Sequence, residues 1–597
     1  MCGINGIINK GNDFVDQNLI DQMNELLKHR GPDDSGIFVS DSIGFGHRRL
    51  SILDLSSKGK QPMTNDGLTI TFNGEIYNYI ELRQSLVEKG YEFHSNTDTE
   101  VILKAYREWG QNCISKFNGM WAFAIHDKNE NIVFCSRDRF GIKPFYFFNN
   151  DSSFIFSSEI KPLLIHFKNN YVNKNILIEY LLYGLEEHTD ETFFEDIIKL
   201  TPGHNLVYNL NNNKISIDQY YFIQKTKNEL SNDQNTEQIR KRLTESIQLR
   251  LRSDIKVGSC LSGGIDSSLI SAIASKLDSK FNYNIHGKSF EGKYDESHFA
   301  KQVTDRYETE LSIVEPSMED FHTDLEKVVR IQEEPFGGPS IVMQYFVMKK
   351  SKEDNCSVLL DGQGADELFL GYETYYPHYL SSLLLKFNLI TFFKSLSTLN
   401  FFQTNKLKTF FQSFFILFKR SLLFFQIKYK ARKFVVKPNV KRLKKTLIHK
   451  DWFTFKKNQL TVNNLSHLLR YEDKNSMHFS IETRLPYLDY LLVEDVINLP
   501  IELNYSNGFT KHLLRNVAKS DLPKSIVWRK DKFGFEAPRS PFAGENELKM
   551  ISKIEKSSLI KKIINIDKNT FNNKSFLWKL YCVSVWEDIF DIRIKSV

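Results

Sequence analysis

Val257-Gly-Ser-Cys-Leu-Ser-Gly-Gly-Ile-Asp-Ser-Ser268 sets an apolar run, a turn of small residues and a polar helix start in that order. The run KVGSCL has the continuous apolar character of a strand covered on both faces, and Ser267 to Lys276 continues at helical spacing. Small residues let backbone N–H groups close on an oxyanion, and a helix N-terminus adds partial positive charge. The string lacks the GxxxxGK(S/T) of a Walker loop, so it predicts a phosphate cradle of another kind in an α/β unit.

Downstream, YNIHGKSF and CSVLLDG alternate with helical stretches, as a parallel sheet requires. Leu360-Asp-Gly-Gln-Gly-Ala-Asp-Glu-Leu368 repeats the strand-to-loop context, with carboxylates suited to carry Mg²⁺ beside substrate phosphates. Near the end of the chain lie MHFSIETRLPYLD (Met477 to Asp489) and NGFTKHLLR (Asn507 to Arg515), in which Lys511 can neutralise charge on a transition state. From about Tyr372 onward the pattern is mostly helical.

Upstream, residues 201–235 turn polar and Asn-rich, which suits a closing hairpin and a linker. Before them come short strands interrupted by helical stretches at Asp16 to Arg30 and at Asn78 to Lys89 with Thr99 to Trp109, an α+β layered pattern. The 597 residues exceed what one hydrophobic core serves, and the expected division is 2–205, a linker at 206–235, and 236–597.

Cys2 follows the initiator Met, so removal of Met1 leaves a thiol nucleophile and an α-amine base on one residue. Acyl transfer from an amide needs an oxyanion hole, which the Asn73 side chain and the Gly74 N–H can form. Arg49 suits a substrate α-carboxylate, and Asp98 with Glu75 an α-ammonium. Each motif alone has a plainer reading, a hairpin turn for Asn-Gly and a surface ion pair for the charges.

RGPDDSG, HRRLSI, FNGEIYN, TDTE and RDRFGIKP together resemble the class II glutamine amidotransferases, N-terminal-nucleophile hydrolases with an αββα sandwich. That resemblance implies glutamine hydrolysis through a thioester on Cys2, with glutamine held by Arg49, Leu50, Ser51, Ile52, Asn73, Gly74, Glu75 and Asp98. SGGIDSS matches the pyrophosphate loop of N-type ATP pyrophosphatases. Carried over by position, Leu261, Ser262, Gly263, Gly264, Asp266, Ser267, Lys288, Asp361 and Gly362 bind ATP, and Asp266 and Asp366 serve Mg²⁺.

Over both halves the chain resembles the glutamine-hydrolysing asparagine synthetase family of the long bacterial type. The implied substrates are ATP, glutamine and aspartate, and the implied products are asparagine, glutamate, AMP and pyrophosphate, by way of a β-aspartyl-adenylate and an ammonia tunnel. One departure is DGQGADE, where Gln363 takes the catalytic place of a Glu tied to adenylate formation. That change leaves open another carboxylate, such as a uronic acid of a surface polysaccharide, as the acceptor.

The net charge of +6 is unevenly spread: residues 374–450 hold 16 Lys/Arg and no Asp or Glu. The Phe- and Lys-rich part at about 381–450 reads first as a helical extension on the second domain. The sharper alternative is a surface that approaches anionic lipid or an anionic sugar. Nucleic acid is not expected, since no reading module accompanies the charge. Six scattered cysteines without CxxC spacing, and no leader or apolar span, predict a cytoplasmic protein with neither disulfides nor zinc; a homodimer is compatible with the chain.

Overall fold

The computed structural model describes residues 2–11, 13–288, 295–397, 406–449, 451–506, 508–529, 544–567 and 570–595. Part of YNIHGKSF, Asn507 and parts of 381–450 lie outside the described residues.

Along the first strand, Gly3–Asn9, Ile4 and Ile8 point one way and Ile7 the other, so both faces of its sheet must be covered. That sheet is antiparallel and runs Ile198–Lys199, Tyr146–Asn149, Ser153–Ser157, Gly3–Asn9, Ile43–Arg49, Asp34–Ser40. A second antiparallel sheet runs Lys214–Gln219, His204–Asn209, Ile132–Arg137, Gly119–Asp127, Leu68–Ile76, Met63–Asn65. Ile4, Ile8 and Phe45 of the first sheet meet Ala122, Ala124 and Tyr208 of the second. Ile20 and Met23 of helix Gln17–Leu26 cover the first sheet outside, and Leu86, Val101 and Ile102 of helices Tyr79–Val87 and Asp98–Trp109 cover the second. The result is the expected αββα sandwich.

The stretch 206–235 is hairpin as far as Gln219, paired into the second sheet, irregular over 220–231, and helical from Asn232. Helix Asn232–Arg250 begins on a reciprocal cap, with the Gln234 N–H donating to Ser231 Oγ and the Ser231 N–H to Gln234 Oε1.

Beyond it lies a parallel five-stranded sheet in the order Glu310–Val314, Tyr283–Gly287, Val257–Cys260, Val358–Leu360, Glu482–Arg484. The chain leaves Val257–Cys260 toward one edge and returns to Val358–Leu360 on the other side. Between these two strands the winding reverses, and the crevice at their carboxyl ends is where such sheets take ligands. Both Gly-rich loops emerge there. The rest is mostly helical, as expected.

The halves share their cores. Leu50, Ile52, Met120 and Ile142 pack in one cluster with Leu261, Leu360 and Leu485. Tyr180 of the first half packs with Phe336, Trp578 and Trp586 of the second. The wholly buried Arg30 guanidinium donates from Nη1 and Nη2 to Asp473 at 2.9 and 3.2 Å and from Nη1 to Glu159 at 3.0 Å. Removing one partner of a buried ion pair strands the other charge. Asp473→Leu should therefore lower stability by about 3–5 kcal/mol in urea unfolding of the full chain; a loss below about 1 kcal/mol, the value of an exposed pair, would refute the buried-pair account.

Candidate active sites

Strand Leu68–Ile76 brings Asn73 and Gly74 beside the start of the chain. The Cys2 backbone N–H donates to Asn73 Oδ1 at 3.0 Å. This fixes the Asn73 amide so that its Nδ2, buried and without a hydrogen-bond partner, faces the other way. Gly74 has φ of 153°, and a Cβ there would lie 2.1 Å from the Met120 carbonyl oxygen, so no side chain fits. Burial pushes the Cys2 thiol up, while the Leu50 N–H and the Arg49 charge pull it down.

Asp98 opens helix Asp98–Trp109 and accepts the Ile76 N–H at 2.8 Å. Burial, opposed by that hydrogen bond, raises its carboxyl to about 6. Glu75 is driven well above the usual carboxylate range, first by burial and then by Glu482 and Asp98. The Arg484 guanidinium, 3.7 Å away, opposes this.

Arg49 donates to the carbonyls of Ser56 (2.8 Å) and Leu53 (3.3 Å), bracing the loop after its strand. Leu50 and Ile52 turn their side chains into the core shared with the second half. The Ser51 N–H is taken by Asp33 at 2.8 Å.

In the second half, the small-residue loop folds on its own hydroxyls. Ser267 Oγ accepts the Ser262 N–H at 3.1 Å and lies 3.0 Å from Ser262 Oγ, whose oxygen accepts the Gly264 N–H at 3.3 Å. Gly264 caps helix Ile265–Leu277. The two loops touch: a Cβ on Gly362 would lie 3.4 Å from the Ser267 nitrogen. Asp361 accepts the Gln363 N–H at 3.1 Å, and burial raises its carboxyl. Leu261 is core, its carbonyl 2.8 Å from His286 Nδ1.

Lys511 joins the pieces. Its Nζ lies 2.5 Å from Asp266 Oδ2 and 2.6 Å from Asp366 Oδ1, so three distant motifs meet at one ammonium. Lys511 itself has φ of 51°, a costly conformation for a non-glycine residue of the kind found at functional sites. Two carboxylates converging beside the small-residue loop suit Mg²⁺, which takes one or two carboxylates and completes its shell with phosphate oxygens and water. Among the described residues no cluster of three or more His, Cys, Asp or Glu offers a fuller cage. Next to Asp366, burial raises Glu367 to about 7, and Tyr372 and Asn464 donate to it. Lys288 lies apart from this ammonium, bound to Glu315 at 2.9 Å and 3.9 Å from Asp295.

Several residues here carry no signal in a linear reading. Gly371 is one, because a Cβ would fall 1.8 Å from Asp366 Oδ1 and 2.1 Å from Lys511 Cε. Tyr487 donates to the Asp266 carbonyl at 3.1 Å. Arg30 donates from Nε to the Cys2 carbonyl at 3.1 Å. Arg484 donates to the carbonyls of Arg250 and Arg252 and to Glu482 while facing Glu75. RGPDDSG and MHFSIETRLPYLD mark the segments of Arg30 and Arg484, but only the fold discloses their partners.

Residues 1–221 match the glutamine amidotransferase domain family, and residues 238–580 match the asparagine synthase family. Over 573 residues the sequence is 31% identical to asparagine synthetase (glutamine-hydrolyzing) 1 of Bacillus subtilis (strain 168), covering 90% of this chain and 87% of that one. It is similarly 29% identical over 560 residues to asparagine synthetase (glutamine-hydrolyzing) 3 of the same organism, covering 89% and 86%.

Proposed function

This chain belongs to the asparagine synthase family, a family of ATP-using, glutamine-dependent amidotransferases, and from that premise we propose that it converts aspartate to asparagine in the cytoplasm. Asn73 and Gly74 are proposed to serve one unit, Lys511 the other, with the boundary between Gln219 and Asn232.

In the first unit the Cys2 sulfur attacks the glutamine amide carbon and the α-amine freed by loss of Met1 takes the thiol proton. Asn73 Nδ2 and the Gly74 N–H receive the oxyanion, the α-ammonium gives the proton to the departing nitrogen so that ammonia leaves, and water releases glutamate from the thioester. The partnerless Asn73 Nδ2 supports this assignment. Arg49, with the neighbouring Leu50, Ser51 and Ile52 segment, holds the glutamine carboxylate end, and Asp98 with Glu75 its ammonium.

In the second unit an aspartate side-chain oxygen attacks the α-phosphorus of ATP and pyrophosphate leaves. Ammonia then attacks the acyl carbon of the adenylate, and AMP departs. Ser262, Gly263, Gly264 and Ser267 cradle pyrophosphate, with Leu261, Asp361 and Gly362 bordering the nucleotide. Mg²⁺ held by Asp266 and Asp366 would supply positive charge beside the phosphates. Lys511 moves its own charge to the reacting oxygens. The observation that carries the reading is the Lys511 ammonium shared by Asp266 and Asp366.

Gln363 favours a second reading, in which the same chemistry acts on another carboxylate such as a uronic acid. An acceptor screen scoring glutamate and pyrophosphate together separates them. Stimulation by aspartate with asparagine as product is expected; a sugar acid succeeding where aspartate fails overturns the first reading.

Gly371→Ala should cut pyrophosphate release by at least about a hundredfold, because the new methyl parts Lys511 from Asp366. Glutamine hydrolysis should persist in that variant and vanish in Cys2→Ala. The pH dependence is also directional. Asp98 binds an ammonium only when ionised and titrates near 6, so KM for glutamine should rise as pH falls through about 6. Asp98→Asn should have a high KM that no longer changes across that range.

A further inference from the structure

The surface at residues 385–435 departs from the rest of the molecule. Phe387 and Ile390 are 87% and 86% exposed, and Phe393, on the same helix as Ile390 (Leu389–Ser397), is 59% exposed. Helix Lys406–Lys430 adds Leu407, Phe411 and Phe418, and beyond a sharp bend Phe425 and Tyr429, all at more than half exposure. Side chains at 407, 411, 415 and 418, and again at 422, 425 and 429, recur at three- and four-residue spacing, so each arm shows solvent a continuous apolar stripe. A monomeric soluble surface does not ordinarily gather large apolar groups this way.

Charge identifies the partner. The same stretch holds no carboxylate. Lys386, Lys394, Lys408, Lys428, Lys437 and Lys441 are exposed beside the stripes. Arg442 and Lys433 nearby do reach carboxylates, at Glu179 and Asp567, which shows that acidic partners exist where the segment meets the body. Lys428 and Lys444 flank the Phe424 ring at 4.4 and 5.2 Å, keeping cations at the level of the aromatics. Bulky apolar groups rimmed by cations that make no ion pair among the described residues complement an anionic bilayer surface, where rings enter the headgroup boundary and ammonium groups meet lipid phosphates. A second copy of the same face would bring cation against cation. No single helix among the described residues is long and apolar enough to cross a membrane.

We propose that the apolar, cationic face formed by helices Leu389–Ser397 and Lys406–Lys430 docks the enzyme peripherally on an anionic membrane surface. The interaction rests on two forces: burial of the rings, and Coulomb attraction that salt screens. The root of the segment is fixed to the catalytic body, since Tyr376, Tyr379 and Phe392 share a core with Leu370, Phe455 and Tyr505. Docking therefore orients the whole chain and is not the tethering of a loose tail.

The test is cosedimentation of the full-length protein with vesicles of phosphatidylcholine alone or mixed with phosphatidylglycerol, at low and high salt. Binding to the anionic vesicles that high salt weakens is the expected result. Lys386→Glu/Lys394→Glu/Lys408→Glu should lower partitioning by about a hundredfold, from roughly one kcal/mol per charge near the surface. Phe387→Ser/Phe411→Ser/Phe425→Ser should also lose binding. Both variants should keep glutamine hydrolysis, which reports that they fold. Equal binding to neutral vesicles, no binding to anionic ones, or retention in bilayers after alkaline extraction overturns the proposal. So does a Phe-dependent dimer in solution that leaves vesicle binding absent.

Discussion

One guanidinium ties the two halves to the backbone of Cys2. Arg30 gives Nε to the Cys2 carbonyl, Nη1 to Glu159, and both Nη groups to Asp473 on helix Asn464–His478. Only a planar fork of five donors reaches three partners in fixed directions, so a lysine could not replace it. Burial opposes the charge and the carboxylates more than restore it, holding the group firmly protonated. Such an arrangement adds less net stability than an apolar filling of the same volume; what it supplies is registry between a backbone that must be exact and a neighbouring domain.

A second line of contact runs from the same seam to the other loop. Glu75 of strand Leu68–Ile76 faces the Arg484 guanidinium, and the Arg484 carbonyl accepts the Asp361 N–H at 2.9 Å. One residue thus touches Glu75 and the first residue of the second Gly-rich loop. Around it Asn118 donates to Asp489 at 2.8 Å and Asp254 donates to the Ile52 carbonyl at 3.0 Å. These bonds cross between halves at short range, so the halves move as one body wherever the seam stays closed. Glu75 remains above its ordinary range because Arg484 offsets only part of the burial and of the repulsion from Glu482 and Asp98.

Local grammar carried much of this. The strand, turn and helix of 257–268 are properties of a few neighbouring residues and are found where the spacing puts them, whereas Asn73-Gly74, which alone reads as a hairpin turn, lies within strand Leu68–Ile76. Residues that act through distant partners were opaque. Nothing near Gly371 says that a methyl would strike Lys511, 140 positions away, and nothing near Arg30 names Asp473. Lys288, assigned to ATP by the resemblance alone, follows strand Tyr283–Gly287 and is paired with Glu315 at the neighbouring strand's exit. The charge excess of 374–450 was visible by counting, but which of its side chains face outward depends on helix phase and on what the body covers.

The basic segment and the catalytic centre share a root. Leu370, immediately before the glycine that spaces Lys511 from Asp366, lies in the core that anchors Tyr376, Tyr379 and Phe392. Tyr372, two residues on, donates to Glu367 at 3.0 Å. Any tilt of the first helix of the segment, Tyr376–Leu385, therefore pulls on residues one or two bonds of contact from the ammonium. A close-packed core transmits such displacement because it has no free volume to absorb it. Through Leu370 and Tyr372 the segment is thus packed directly against the residues that set the spacing of Asp366 and Lys511.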